Sequence, residues 1–286
     1  MSRLDWATDG RRWPNRAASR FVEAGGLRWH VQVAGAGPVL LLVHGTGSAT
    51  HSWRALLPLL SEDFTVVAAD LPGHGFSGAP PRGAYALPRI ARAIAALLGV
   101  LDQAPALAVG HSAGAAVLAR MCLDGLIAPA RLISLNGALM PLRGMPTEIF
   151  VPIAKLLASS SLAARAFAAV TGGEAGVNRL IRSGGSDIDD EGRRLYARLA
   201  SNPGHVAGAL GLMAHWDLPG LARDLPGLRT PLTLVSGGAD RMVAPFEAAR
   251  VKALVPGAEL ISLPGLGHLA HEEQPEAVAR IIRAAR

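Results

Sequence analysis

Apolar runs of strand length, alternating with longer segments of helical pattern, constrain this chain more than any other feature. Val39–Val43, Phe64–Ala69, Ala106–Val109, Arg131–Leu135, Pro231–Val235 and Glu259–Leu263 are apolar without clean alternation, the pattern of strands buried on both faces of a parallel sheet. Two earlier runs, Arg20–Ala24 and Leu27–Ala34, flank Gly25-Gly26, a two-residue hairpin signal. Helical patterns fall between the runs at Trp53–Leu60, Leu87–Leu101, Ala113–Asp124, Pro245–Leu254 and Pro275–Ala285. An antiparallel hairpin leading into an alternating β/α series predicts an α/β fold. The expected form is a three-layer sandwich around a mostly parallel sheet.

The rhythm stops between Ala138 and Leu218. Helical patterns at Ile149–Leu157, Leu162–Val170 and Glu191–Ala200 are separated there by Gly-rich turns such as Ser183-Gly184-Gly185-Ser186, with no strand-like run between them. A helical insertion of this size between two sheet strands reads as a lid over a site. The expected organisation is an N-terminal arm at 1–19, a core at 20–137 and 219–286, and a lid at 138–218.

Composition removes several function classes. Half of the 286 residues are apolar and 17% are charged, enough for a large core. The net charge of +6 comes from scattered arginines, with lysine only at 155 and 252, so no basic stripe suggests nucleic acid. Peripheral contact with an anionic membrane stays open, and no stretch reads as a span. Cys122 is the single cysteine. With a polar, arginine-rich start at Met1–Ser19, it points to a reducing cytoplasm. His268, His271 and Glu272 match neither zinc-protease pattern, so no metal and no cofactor are expected.

Four short motifs carry chemistry. Gly110-His111-Ser112-Ala113-Gly114 joins a strand to a helix, the setting in which a sharp turn holds a serine hydroxyl clear of the sheet. His44-Gly45-Thr46-Gly47 follows another strand. With Ala113, Thr46 is the expected source of two backbone N–H groups for an oxyanion. His44 itself reads as a loop brace. Asp240, in Gly237-Gly238-Ala239-Asp240, stands at a strand end where a carboxylate can orient a histidine; Asn136, at the preceding strand end, cannot carry that charge. Gly265-Leu266-Gly267-His268 supplies the histidine, preferred over His271. Asp70, in Asp70-Leu71-Pro72-Gly73-His74-Gly75, lies on the wrong side of the nucleophile and reads as tying down its own loop. The catalytic assignment is therefore Ser112, Asp240 and His268, in that chain order.

At these motifs the sequence resembles the α/β-hydrolase superfamily over nearly its whole length from Phe21. A serine nucleophile disfavours the haloalkane dehalogenase and epoxide hydrolase branches. Longer strings resemble a narrower group, the magnesium-chelatase accessory proteins of bacteriochlorophyll biosynthesis. These strings include Trp13–Arg16, Ser19–Val22, Thr50–Trp53, Met121–Ile127 and Ser201–His205. That resemblance implies a role near magnesium insertion into protoporphyrin, with a porphyrin as candidate small-molecule ligand and transient contact with chelatase subunits. The chain has no phosphate-binding loop of its own. Arg143, Arg165, Arg179 and Arg182 in the lid could meet porphyrin carboxylates. Three readings stay open: a serine hydrolase with this pathway role, an esterase or lipase-like enzyme unrelated to tetrapyrroles, and a tetrapyrrole-binding or chelatase-stabilising protein without turnover.

Overall fold

The structure is a computed structural model that describes residues 3–81, 84–141, 165–166, 168–169 and 172–286. Eight strands build one sheet: β1 (Ser19–Ala24), β2 (Leu27–Ala34), β3 (Val39–Val43), β4 (Thr65–Ala69), β5 (Leu107–His111), β6 (Arg131–Leu135), β7 (Leu232–Gly237) and β8 (Glu259–Leu263). Their spatial order is β1-β2-β4-β3-β5-β6-β7-β8. β2 pairs antiparallel with β1 and with β4, and the remaining pairs are parallel. Each strand falls within two residues of an aliphatic run, and the expected three-layer α/β sandwich is the observed fold.

Alternate residues of the central strands feed two cores, which is why the runs lack a polar face. Leu41, Val43, Val67, Leu132 and Leu234 pack with α2 (Leu87–Leu101), α3 (Ala113–Leu123) and α8 (Pro245–Leu254) on one side. Leu40, Leu42, Val66, Ile133 and Val235 pack on the other side with α1 (Leu56–Leu60) and with α10 (Pro275–Ala284), which follows the short α9 (Ala270–Glu273). In α2, Leu87, Ile90, Ala91, Ile94, Leu97 and Leu98 form one buried stripe at helical spacing. Burying each leucine or isoleucine fully stabilises the fold by about 1.5–3 kcal/mol. The helix expected at Trp53–Leu60 begins only at Leu56, after a 3-10 turn over Thr50–Trp53. Pro58 then sits in the first turn of α1, where no N–H is needed.

Between β6 and β7 lie α4 (Glu174–Ser183), α5 (Asp190–Ala200), α6 (Pro203–Ala214) and α7 (Leu218–Asp224). The helix expected at Glu191–Ala200 is α5. Ile149–Leu157 lies outside the described residues, and of Leu162–Val170 only 165–166 and 168–169 are described, both helical. Helix α6 escaped sequence reading because Gly204, Gly208 and Gly211 each weaken a helix by about 1 kcal/mol. Packing explains two of them. A Cβ on Gly208 would lie 2.1 Å from the Gly73 carbonyl oxygen, and one on Gly211 would lie 2.8 Å from the Tyr85 ring. A signal was nonetheless present: the Asn202 side chain caps α6 by accepting from His205 N–H, and Pro203 follows at the first helical position. Among the described residues no helix is long and apolar enough to cross a membrane.

The segment before β1, expected as an N-terminal arm, packs on the rest of the chain at Trp13. Trp13 is 2% exposed and shares an apolar cluster with Ala49, Phe76, Leu195 and Leu199. Its Nε1–H donates to Thr50 Oγ1 at 3.0 Å. The indole therefore joins the arm, the loop after β3 and α5. Trp13→Ala is expected to lower stability by about 3–5 kcal/mol in urea denaturation. Loss below about 1 kcal/mol would mean that the arm is dispensable.

Candidate active site

Ser112 stands between β5 and α3 with φ +49° and ψ −114°, a backbone conformation that strains any residue other than glycine by about 1–3 kcal/mol. The strain is held on both sides. Ser112 N–H donates to Leu135 O at 3.0 Å, and Ser112 O accepts from Ala138 N–H at 3.0 Å. The flanking glycines are required by close approach. A Cβ on Gly110 would lie 2.4 Å from Ala115 N, and one on Gly114 would lie 2.1 Å from Val43 O. A side chain at either position would push α3 off the sheet.

Asp240 lies in the loop after β7, fully buried at its side chain. Its Oδ1 accepts from the N–H groups of Met242 and Val243 at 2.8 and 2.9 Å. Its Oδ2 meets His268 Nδ1 at 2.8 Å. One carboxylate oxygen thus anchors the loop and leaves the other for the imidazole. Among the described residues neither His268 Nε2 nor Ser112 Oγ has a hydrogen-bond partner. The structure therefore joins two of the three expected residues directly and makes no Ser112–His268 hydrogen bond. Ser112 is nevertheless next to the histidine loop, because the rings of His111 and His268 lie 4.8 Å apart.

The loop after β3 is a tight turn in which Ser48 N–H donates to Gly45 O at 3.2 Å. The backbone N–H groups of Thr46 and Ala113 have no acceptor among the described residues. Two unclaimed donors near a strained serine are what an anionic oxygen needs. His44 is buried and braces two loops: Leu71 N–H donates to its Nε2 at 2.9 Å, and its Nδ1–H donates to Gly45 O at 2.8 Å. Asp70 does more than tie down its own loop. It accepts from Phe76 N–H at 2.9 Å, from Thr50 N–H at 2.7 Å and from His30 Nδ1 at 2.8 Å. The His30 partnership holds its carboxyl well below the usual range despite burial.

Several residues matter here in roles that the sequence did not assign to them. Asn136 accepts from Gly237 N–H at 2.7 Å and donates to the carbonyls of Gly267 and His268 at 3.0 and 2.9 Å. His111 Nε2–H donates to His268 O at 2.9 Å. The turn Ser183–Ser186 reaches the same loop: His268 N–H donates to Gly184 O at 3.1 Å, and Leu269 N–H donates to Ser186 Oγ at 2.8 Å. A Cβ on Gly185 would lie 2.0 Å from Ala239 O, so the double glycine in that turn was the available signal. Glu272 is buried, accepts from Tyr196 OH at 2.7 Å and pairs with Arg54, which also meets Asp189 at 2.8 Å. Of the arginines considered for a carboxylate ligand, Arg165, Arg179 and Arg182 are exposed and Arg143 lies outside the described residues.

Sheet order, the strained serine turn and the paired Asp240 and His268 define a hydrolase-type α/β scaffold. Residues 40–281 match the alpha/beta hydrolase family model, and the chain belongs to that family. It is 34% identical to the magnesium-chelatase 30 kDa subunit of Rhodobacter capsulatus over 94% of this chain and 95% of that protein. It is 30% identical to 2-(acetamidomethylene)succinate hydrolase of Mesorhizobium japonicum, over 92% and 93% of the two chains. Among solved structures, a putative lipase from Acinetobacter baumannii shares the fold with a TM-score of 0.79 at 17% identity, covering 99% of this chain and 96% of its own.

The buried polar groups make stability depend on pH. Burial pushes the pKa of His44, His51, His74, His111, His205 and His271 below the ordinary value, to about 4 for His205 and about 3 for His271. The unfolded chain takes up these protons near pH 6.5 while the folded chain does not, so stability falls as pH drops below about 6.5. Burial pushes Glu272 up to about 7, which acts in the opposite sense but with one proton against six. The thermal midpoint should fall between pH 7 and pH 5, each histidine contributing up to about 1.4 kcal/mol per pH unit. A midpoint that is flat over that range contradicts the buried neutral state. Asn136→Asp would turn a carboxylate toward two carbonyl oxygens. At neutral pH it should cost about 3–5 kcal/mol relative to wild type in urea denaturation, and an unchanged midpoint would count against this role for the amide.

Proposed function

We propose that this chain is a serine hydrolase of an ester or related acyl bond, serving the magnesium-insertion stage of (bacterio)chlorophyll biosynthesis. The observation that carries the hydrolase reading is the 2.8 Å contact from Asp240 to His268 Nδ1. It leaves Nε2 without a partner among the described residues, on a loop whose His268 ring lies 4.8 Å from that of His111, the neighbour of the strained Ser112. In this reading Ser112 Oγ attacks the acyl carbon while His268 Nε2 takes its proton, and Asp240 holds the imidazole tautomer and stabilises the imidazolium. Thr46 and Ala113 N–H groups receive the oxyanion. The proton passes to the leaving group as the acyl bond breaks. Water, deprotonated by the same imidazole, then releases the acid and restores the serine. The hydroxyl has to rotate onto Nε2 for the first step, a tightening common when substrate arrives.

The pathway assignment rests on the likeness to the Rhodobacter capsulatus subunit, which extends over nearly the whole of both chains. The segment 138–218 is proposed as the lid and 1–19 as an arm supporting it, around a core of 20–137 and 219–286. A porphyrin is the proposed ligand class and the chelatase subunits the proposed partners, with a cytoplasmic setting. A second reading, binding without turnover, is favoured by the absence of a Ser112–His268 hydrogen bond.

A fluorophosphonate probe separates the two. Wild-type protein should label, Ser112→Ala should not, and Asp240→Asn should slow turnover of a responsive ester by about 10⁴-fold. Folded wild-type protein that takes no label returns the chain to the binding reading. Titration with protoporphyrin IX, followed by tryptophan quenching, tests the ligand class; absence of saturable binding removes it.

A further inference from the structure

We propose that His205, on α6 of the β6–β7 insertion, is a positioning residue that aims the Thr46 N–H by holding the Gly45–Ser48 turn. The inference rests on the hydrolase reading and assigns that site a support which the four sequence motifs do not contain.

His205 is 2% exposed and spans two loops. Gly75 N–H donates to its Nδ1 at 3.0 Å, so the ring proton sits on Nε2, which donates to Gly47 O at 3.1 Å. The neutral ring is the form this arrangement needs, and burial favours it. The backbone that carries the ring is fixed as well. His205 N–H is capped by the Asn202 side chain at 3.0 Å, and Gly208 on the same helix leaves no room for a side chain against Gly73.

The contact reaches Thr46 through two peptide planes. The Gly47–Ser48 plane is held at its oxygen by His205 and at its nitrogen by Gly45 O, to which Ser48 N–H donates. The Gly45–Thr46 plane is therefore held at its oxygen. Peptide bonds are planar, and no cis bond occurs among the described residues. Fixing that oxygen directs the Thr46 N–H to the opposite side. His44 donates to Gly45 O too, so loss of His205 should loosen the turn without dissolving it. Tyr196 of α5 touches the same turn at Ser48 Oγ, at 3.2 Å. The insertion thus grips the oxyanion turn from two helices, and His205 is the grip that bears on the backbone.

Two amide variants split the two ends of the ring. His205→Gln can keep a donor at the Nε2 position; His205→Asn keeps only an acceptor for Gly75 N–H. Amide hydrogen exchange of the segment around residues 45–48, fluorophosphonate labelling rate and thermal midpoint are measured on the full chain. Expected are faster exchange and about tenfold slower labelling in His205→Asn, with His205→Gln within about threefold of wild type on both. Equal loop exchange in the two variants overturns the proposal. So does separated exchange with identical labelling, which would mean that the turn's position does not serve the chemistry. If wild type takes no label yet loop exchange still separates the variants, the hydrolase reading fails while the hold of His205 on the turn stands. Nitrogen NMR of wild-type protein supplies a check without mutation: His205 should be neutral with its proton on Nε2, and a proton on Nδ1 overturns the assignment.

Discussion

The backbone of His268 is the point on which the rest of the site depends. Its carbonyl receives hydrogen bonds from His111 and Asn136, and its N–H donates to Gly184. The imidazole is then placed by Asp240. These partners come from four separate parts of the chain: the end of β5, the end of β6, the insertion and the loop after β7. A histidine on a glycine-flanked loop would otherwise sample many orientations. Here each backbone group is saturated inside the protein, where breaking one bond leaves a buried polar atom unpaired at a cost of about 1–3 kcal/mol.

Close backbone approach is the second recurring device. Gly114 lets α3 rest on the end of β3, Gly208 lets α6 rest on the loop after β4, and Gly185 lets the insertion rest on the loop of Asp240. In each case carbonyl oxygens occupy the volume that a Cβ would fill. Two elements brought this near cannot slide past one another, so the strained Ser112 backbone and the Asp240–His268 pair keep their relative placement. Strain at a functional residue persists only where its surroundings over-determine it.

The sheet and the motif residues were legible in sequence because their signals are local. An aliphatic run of five residues buried on both faces carries its own pattern, and Gly110–Gly114 carries the turn that Ser112 needs. The supporting residues were not legible, since their roles are defined by partners far along the chain. Asn136 was considered only as a failed carboxylate, yet its amide, with a donor at one end and an acceptor at the other, can bridge β7 and the histidine loop as no carboxylate could. Helix α6 has no strong helical pattern in sequence because its glycines lower intrinsic helix propensity. Gly208 and Gly211 answer to Gly73 and Tyr85, more than a hundred residues upstream.

The Gly184 contact bears on how such scaffolds diversify. Insertions of this kind invite treatment as exchangeable modules, grafted between relatives to alter what the core accepts. In this chain the carbonyl that secures His268 belongs to the insertion, as does the ring that secures Gly47. A graft would carry away these two supports of the His268 loop and the Gly45–Ser48 turn. New substrate preferences on this scaffold are therefore more accessible by changing side chains within the existing insertion than by replacing it.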